Sequence, residues 1–297
     1  MTASNNSSKL SAFILASRPK TLLASLVPVI VGSSAAYKYG GFKPIHALVA
    51  LLCSVLIQVS TNFINDLYDF LSGKDTEHRV GPQRALASGL VSVKEMKWAI
   101  IIIYSVTFLL GLYLVYKAGI YVLVIGVLSL IAGYLYTAGP YPLAYNGLGD
   151  FFVLIFFGFV GTMGTFYVQV YELNWFSFWV SIPVGLLITN ILVVNNYRDI
   201  DEDRSNNKNT LAVKMGRTFA RNQYLISLIL SYLILLFLLI DYEHSFFILL
   251  PLLTLPLAIK AMQQFKTKQG AELNFLLELS AKLSFLFGIL FSAGIIL

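Results

Sequence analysis

A chain of 297 residues that is 57% hydrophobic and 14% aromatic, with only 12% of its side chains charged, cannot surround a core with a polar surface. Its mean hydropathy of +0.75 excludes an ordinary soluble domain and places most of the chain in lipid. The formal charge of +6 comes from basic residues scattered among short segments between apolar runs, which excludes a nucleic-acid-binding patch and points to membrane orientation.

In chain order, the Ser/Asn-rich start lacks both the Arg-rich character of a transit peptide and a cleavable apolar core, and predicts a disordered tail over residues 1–12. Nine apolar runs follow: Thr21–Tyr37, Ile45–Ile64, Trp98–Tyr116, Ile120–Thr137, Leu148–Val170, Phe176–Val194, Phe219–Ile240, Phe246–Met262 and Leu273–Leu297. Each approaches the roughly 20 residues that a helix needs to cross about 30 Å of hydrocarbon. The predicted fold is all-α, a polytopic transmembrane bundle of nine helices forming one domain over 1–297. Cys53, the single cysteine, lies inside the second run, so no intrachain disulfide is available and a packing role is expected.

Nine spans put the termini on opposite sides. Of the 21 Lys and Arg residues, Lys38, Lys43 and Lys117 then fall on one face, Lys282 falls inside the last run, and the other 17 fall on the opposite face. The crowded face is cytoplasmic by the positive-inside rule, with the N-terminus inside. Two long connections, Asn65–Lys97 and Asn195–Arg221, lie on that same face, where polar loops between short-looped spans tend to carry function.

The second run ends in Asn62-Phe-Ile-Asn65-Asp66-Leu-Tyr-Asp69, and the sixth in Asn196-Tyr-Arg-Asp199-Ile-Asp-Glu-Asp203. Both place polar side chains at i, i+3 and i+7, which share one face at 3.6 residues per turn. The constant offset of 134 residues between the two sets predicts two related four-helix halves plus a last helix, with the polar ends meeting. Carboxylates at helix C-termini oppose the macrodipole and call for a nearby cation. Hard oxygen donors without a Cys/His set select Mg²⁺, which bridges carboxylates to phosphate oxygens, and His46, His78 and His244 are dispersed. Lys74, Arg79 and Arg84 after the first cluster, and Lys208 after the second, supply cations suited to a diphosphate. Gly73 allows the chain to turn so that Asp75 returns toward the metal.

On these residues the chain resembles the UbiA superfamily of intramembrane prenyltransferases. The words that carry the resemblance are Asn65-x3-Asp69-x5-Asp75 after the second span and Asp199-x3-Asp203 after the sixth. Further words resemble the branch that prenylates 1,4-dihydroxy-2-naphthoate: Ser17-Arg18-Pro19-Lys20-Thr21, Arg84-Ala85-Leu86-Ala87-Ser88-Gly89, Tyr134-Leu135-Tyr136-Thr137-Ala138-Gly139-Pro140 and Asn195-Asn196-Tyr197-Arg198-Asp199-Ile200. The run Asn206-Asn207-Lys208-Asn209 departs from relatives that often carry a glycine and a second basic residue there.

The resemblance implies Mg²⁺-dependent transfer from a polyprenyl diphosphate to an aromatic acid in the bacterial inner membrane, with a cytoplasm-facing site. Its metal ligands would be Asn65, Asp69, Asp75, Asp199 and Asp203, the four carboxylates also being the catalytic groups. Substrate contacts would come from Arg18, Asn62, Asn65, Asp66, Lys74, Arg79, Arg84, Tyr134, Tyr136, Asn196 and Lys208. Within that class 4-hydroxybenzoate and homogentisate are the competing acceptors. A secondary transporter is the rival from another class, but its polar groups belong near mid-span, not at one face.

Other residues keep two readings. Tyr134, Tyr136 and Tyr141 suit either an allylic cation, through their π faces, or an interfacial aromatic belt. The Phe151–Phe159 run suits either an isoprenoid tunnel or lipid-facing packing. Glu278 and Lys282, at i and i+4, are read as mutual neutralisation at a helix seam.

The charge asymmetry yields a labelling test. In a Cys53→Ala background, cysteines at Asn174 or Glu243 are expected to react with an impermeant thiol reagent outside intact cells, and cysteines at Ser72 or Asn206 are not. The reverse pattern inverts the topology.

Overall fold

The long apolar stretches give helices because lipid offers the backbone no hydrogen-bond partner except its own turn. The computed structural model describes residues 2–73, 84–241 and 245–297, with the side chains of 2–8, 20 and 21 excluded. Joining directly continuous segments, the described residues form eleven helices and no strand. In order these are α1 (Thr2–Ala16), α2 (Pro19–Lys38), α3 (Pro44–Leu71), α4 (Val93–Ala118), α5 (Ile120–Leu135) and α6 (Gly149–Val170). They continue with α7 (Trp175–Arg198), α8 (Ile200–Ser205), α9 (Leu211–Asp241), α10 (Phe246–Thr267) and α11 (Gly270–Ile296). Seven of them, α3, α4, α6, α7, α9, α10 and α11, are long and apolar enough to cross a membrane, and Leu22–Lys38 and α5 are shorter apolar helices. The chain is a multi-pass integral membrane protein.

Eleven helices correct the expected nine. The two additional ones, α1 and α8, are rich in polar residues and give no hydropathy signal. α1 begins at Thr2, within the segment expected as a tail, and its last turns are packed. Ala12 and Ala16 are buried with Phe63, Leu67 and Met96, Phe13 meets the Phe63 ring at 5.6 Å, and Lys9 pairs with Glu95 at 2.7 Å.

Helix α7 is central. It packs on α2, α6, α9 and α11, and most of its apolar window is buried, whereas α4 buries little and faces outward. Close approach is set by small residues, as expected where lipid removes the hydrophobic drive between helices. Gly158 of α6 and Gly185 of α7 meet backbone to backbone. Residues Leu154–Met163 of α6 are π-helical, a wide turn that rotates Phe156, Phe157 and Val160 toward the interior. At the end of the bundle opposite the polar clusters, the α2–α3 connection is tied to α6: the Lys43 main-chain N–H donates to Gln169 Oε1 at 3.2 Å, and His46 Nε2 lies 3.1 Å from the Tyr171 hydroxyl.

A methyl at position 185 would sit 2.8 Å from the Gly158 Cα and 3.0 Å from the Leu154 carbonyl oxygen, both backbone atoms that cannot swing away. Gly185→Ala is expected to destabilise the protein by about 1–3 kcal/mol, seen as a lower melting temperature in detergent. Gly111→Ala, where nothing lies within 4 Å, is expected to leave it unchanged.

Candidate active site

The first polar cluster rides on an unbroken helix. α3 continues through Leu71, so Asn62, Asn65, Asp66 and Asp69 occupy its last turns, and Gly73, at φ 66, ends it. Asn62, Asp66 and Asp69 are buried. The second cluster differs from the one-face expectation. α7 stops at Arg198, Asp199 takes a non-helical conformation, and α8 starts afresh at Ile200, so the three polar residues turn to different partners. Asn196 donates to Asp150 Oδ1 at 3.3 Å, and Asp150 also accepts from Gln223 at 3.0 Å. Asp199 is gripped by Arg198, whose Nε and Nη2 each donate at 2.7 Å, while Arg198 Nη1 reaches Asn274 of α11 at 2.7 Å.

The clusters meet at Asp69, which is 1% exposed. Its Oδ2 accepts from the Arg84 guanidinium and, at 3.2 Å, from the Lys208 ammonium, and its Oδ1 accepts from the Tyr145 hydroxyl. Arg84 is fixed in turn by the Asn65 carbonyl at 3.1 Å and by Asp66 at 3.7 Å, and Asp66 Oδ2 accepts the Ala85 N–H at 3.1 Å. Lys208 joins the two halves of the site, because its main-chain N–H donates to the Asp203 carbonyl at 2.8 Å while its side chain reaches Asp69. Burial pushes the Asp203 carboxyl up to about 7; Lys208 opposes this, and Asp199, Glu202 and Asp69 add to it.

Next to this cluster lies a cavity of about 400 Å³. Arg18, Gln58, Asn62, Asn65, Tyr136 and Asn195 give it polar lining, and Phe152, Phe156, Phe157, Val160, Leu123 and Leu130 are among its apolar walls. Asn62 also donates to the Ser17 carbonyl at 2.9 Å, which holds the start of α2 over the cavity. Thus the Phe-rich run of α6 lines an interior space through Phe152, Phe156 and Phe157, while Phe151 is exposed. The two tyrosines separate: Tyr136 lines the cavity, whereas the Tyr134 hydroxyl lies 2.5 Å from that of Tyr68.

Of the predicted site residues, Asp69, Arg84 and Lys208 are brought into direct contact, with Asp66, Asn65 and Asp203 adjoining. Asn196, still on α7, donates instead to Asp150 across the α6–α7 contact. Lys74, Asp75 and Arg79 lie outside the described residues. Among the described residues no three His, Cys, Asp or Glu side chains form a ready metal site; Arg84 and Lys208 neutralise Asp69 instead. The donor set is nonetheless hard oxygen throughout, which is the chemistry that suits a divalent cation such as Mg²⁺. Tyr145, Asp150, Asn195, Arg198 and Gln223 were not predicted as site residues. Asp150 carried a legible signal, a carboxylate opening an apolar run; Tyr145, one of 17 tyrosines, carried none.

An apolar cavity beside a mixed acidic and basic cluster, inside a helical membrane bundle, defines an intramembrane enzyme for an amphiphile with an anionic head. The pattern of the UbiA prenyltransferase family matches residues 25–286, and the chain belongs to that family. It is 37% identical over 297 residues to the 1,4-dihydroxy-2-naphthoate octaprenyltransferase of Escherichia coli, covering 98% of this chain and 96% of that one. The protein of the same name from Haemophilus influenzae is 36% identical over 294 residues, covering 94% of each. In fold the chain resembles a UbiA homolog from Archaeoglobus fulgidus bound to GPP and Mg²⁺, with a TM-score of 0.66, 17% identity and coverage of 96% and 99%.

Asp69→Asn removes the charge at the centre of this network while keeping its shape, and is expected to lower prenyl-transfer turnover by about 100-fold or more. Asp201→Asn is the control. That carboxylate is 80% exposed and paired with Arg217 at the surface, so steady-state turnover is expected to stay within about twofold. Comparable rates for Asp69→Asn and wild type would show that the site lies elsewhere.

Proposed function

We propose that this protein transfers a polyprenyl chain from its diphosphate to 1,4-dihydroxy-2-naphthoate, with loss of the acceptor's carboxylate as CO₂. The carrying observation is the junction of an apolar cavity with a buried carboxylate flanked by Arg84 and Lys208. Kinship of 36–37% over nearly the whole chain with naphthoate octaprenyltransferases supports the acceptor. In this reading nine helices cross the bilayer, with α2 and α5 completing the seven longest, arranged as two related four-helix halves plus the last. The N-terminus and the site face the cytoplasm of a bacterial inner membrane.

Asp69, Asp199 and Asp203, with Asn65, would hold Mg²⁺, and Asp75 would join them. When bound, the ion supplies positive charge that favours departure of the diphosphate. Arg84 and Lys208 bind the same anionic head, Arg84 by a planar fork and Lys208 as a point charge. Phe156, Phe157 and Val160 enclose the prenyl tail and exclude water from the allylic carbon. Tyr136 presents its ring toward that carbon as charge develops on it. The allylic C–O bond breaks with its electron pair leaving on the diphosphate, and the ring carbon bearing the carboxylate forms the new C–C bond. The bonding pair of the departing carboxylate then restores the aromatic ring.

Membranes containing the protein are to be incubated with GPP, Mg²⁺ and either 1,4-dihydroxy-2-naphthoate or 4-hydroxybenzoate, and the products weighed by mass spectrometry. The expected product is a prenylated naphthalenediol lacking the carboxyl group, absent when a chelator is added and restored by Mg²⁺. A prenylated hydroxybenzoate that keeps its carboxylate, with none from the naphthoate, would overturn the acceptor assignment. Full activity in chelator would overturn the role of the metal.

A further inference from the structure

Tyr145 is placed where no part of the reaction just described uses it. It sits in the short 3₁₀ turn Leu143–Asn146 between α5 and α6, far in sequence from both acidic clusters. Contacts on several sides hold it there. Its hydroxyl donates to Asp69 Oδ1, its ring lies under the Lys208 ammonium at 4.8 Å, and its carbonyl accepts the Asn209 N–H at 2.9 Å. The turn itself is braced from a third direction, since Lys214 of α9 donates to the Asn146 carbonyl at 2.7 Å.

The two oxygens of Asp69 are therefore treated differently. Oδ2 carries the cationic side chains of Arg84 and Lys208, while Oδ1 is held by a phenol on a braced turn. A carboxylate free to rotate about its last torsion presents either oxygen to a ligand; one oxygen tied to a rigid donor leaves the other with a fixed direction. Hydrogen bonds of this kind to a ligating carboxylate fix its orientation. We propose that Tyr145 is a positioning residue for Asp69: its hydroxyl sets the orientation of that carboxylate toward the divalent cation, and its ring stations Lys208 beside it. The inference rests on the metal reading above and assigns Tyr145 no contact with substrate.

Tyr145→Phe keeps the ring, and with it the Lys208 contact, and removes only the hydroxyl. The test is the Mg²⁺ dependence of the melting temperature of the purified full-length protein in detergent, with no prenyl donor, together with the Mg²⁺ dependence of turnover. In wild type, Mg²⁺ is expected to raise the melting temperature. In Tyr145→Phe the half-effect concentration of Mg²⁺ is expected to rise by about tenfold or more in both measurements, with the metal-free melting temperature little changed. In an Asp69→Asn background the same substitution is expected to change the Mg²⁺ response no further. A half-effect concentration equal to wild type would overturn the proposal, as would a lowered metal-free melting temperature with an unaltered Mg²⁺ response, which marks a merely structural tyrosine. A wild-type protein that ignores Mg²⁺ would overturn the metal reading itself, and this proposal with it.

Discussion

A carboxylate that is 1% exposed has almost no water to stabilise its charge, and everything at this end of the bundle is arranged around that fact at Asp69. Leaving such a charge without compensation costs several kcal/mol. The three groups that compensate it come from three stretches of chain: Arg84 ahead of α4, Tyr145 between α5 and α6, and Lys208 between α8 and α9. None is near Asp69 in sequence. One buried charge therefore draws together side chains from three separate stretches of the chain.

The same pattern, an acid with an arginine beside it, recurs on a smaller scale. Arg198 grips Asp199 and extends to Asn274, so the break between α7 and α8 is pinned to α11. Asp66 faces Arg84 and accepts the Ala85 N–H, which supports Arg84 from a second side. Buried ion pairs add little net stability but hold direction well, and direction is what a reacting site requires. The apolar part of the cavity follows a different rule. Its shape comes from backbone features, the π-helical stretch of α6 and the Gly158–Gly185 approach, which decide where aromatic side chains point.

Hydropathy reveals long apolar helices because lipid enforces a simple relation between length and composition; α3, α4, α6, α7, α9, α10 and α11 all correspond to expected runs. It is blind to α1 and α8, whose order comes from packing and from a helix restart. On α3 the polar residues share one face of an unbroken helix, as their spacing implies. On α7 the spacing misled, because helical periodicity assumes an unbroken helix and Asp199 interrupts it. Tyr145 was invisible for a different reason: its position depends on how a turn folds back across the bundle, a relation that no local pattern encodes.

Cys53 lies on α3 in the wall of the cavity, which Ala50 and Ser54 of the same helix also line. As the single thiol of the chain it gives the interior a natural spectroscopic address. A small apolar probe attached there would stand within the space assigned to the prenyl tail, and its emission would report whether that space is dry, wetted or filled without any residue of the acidic cluster being altered.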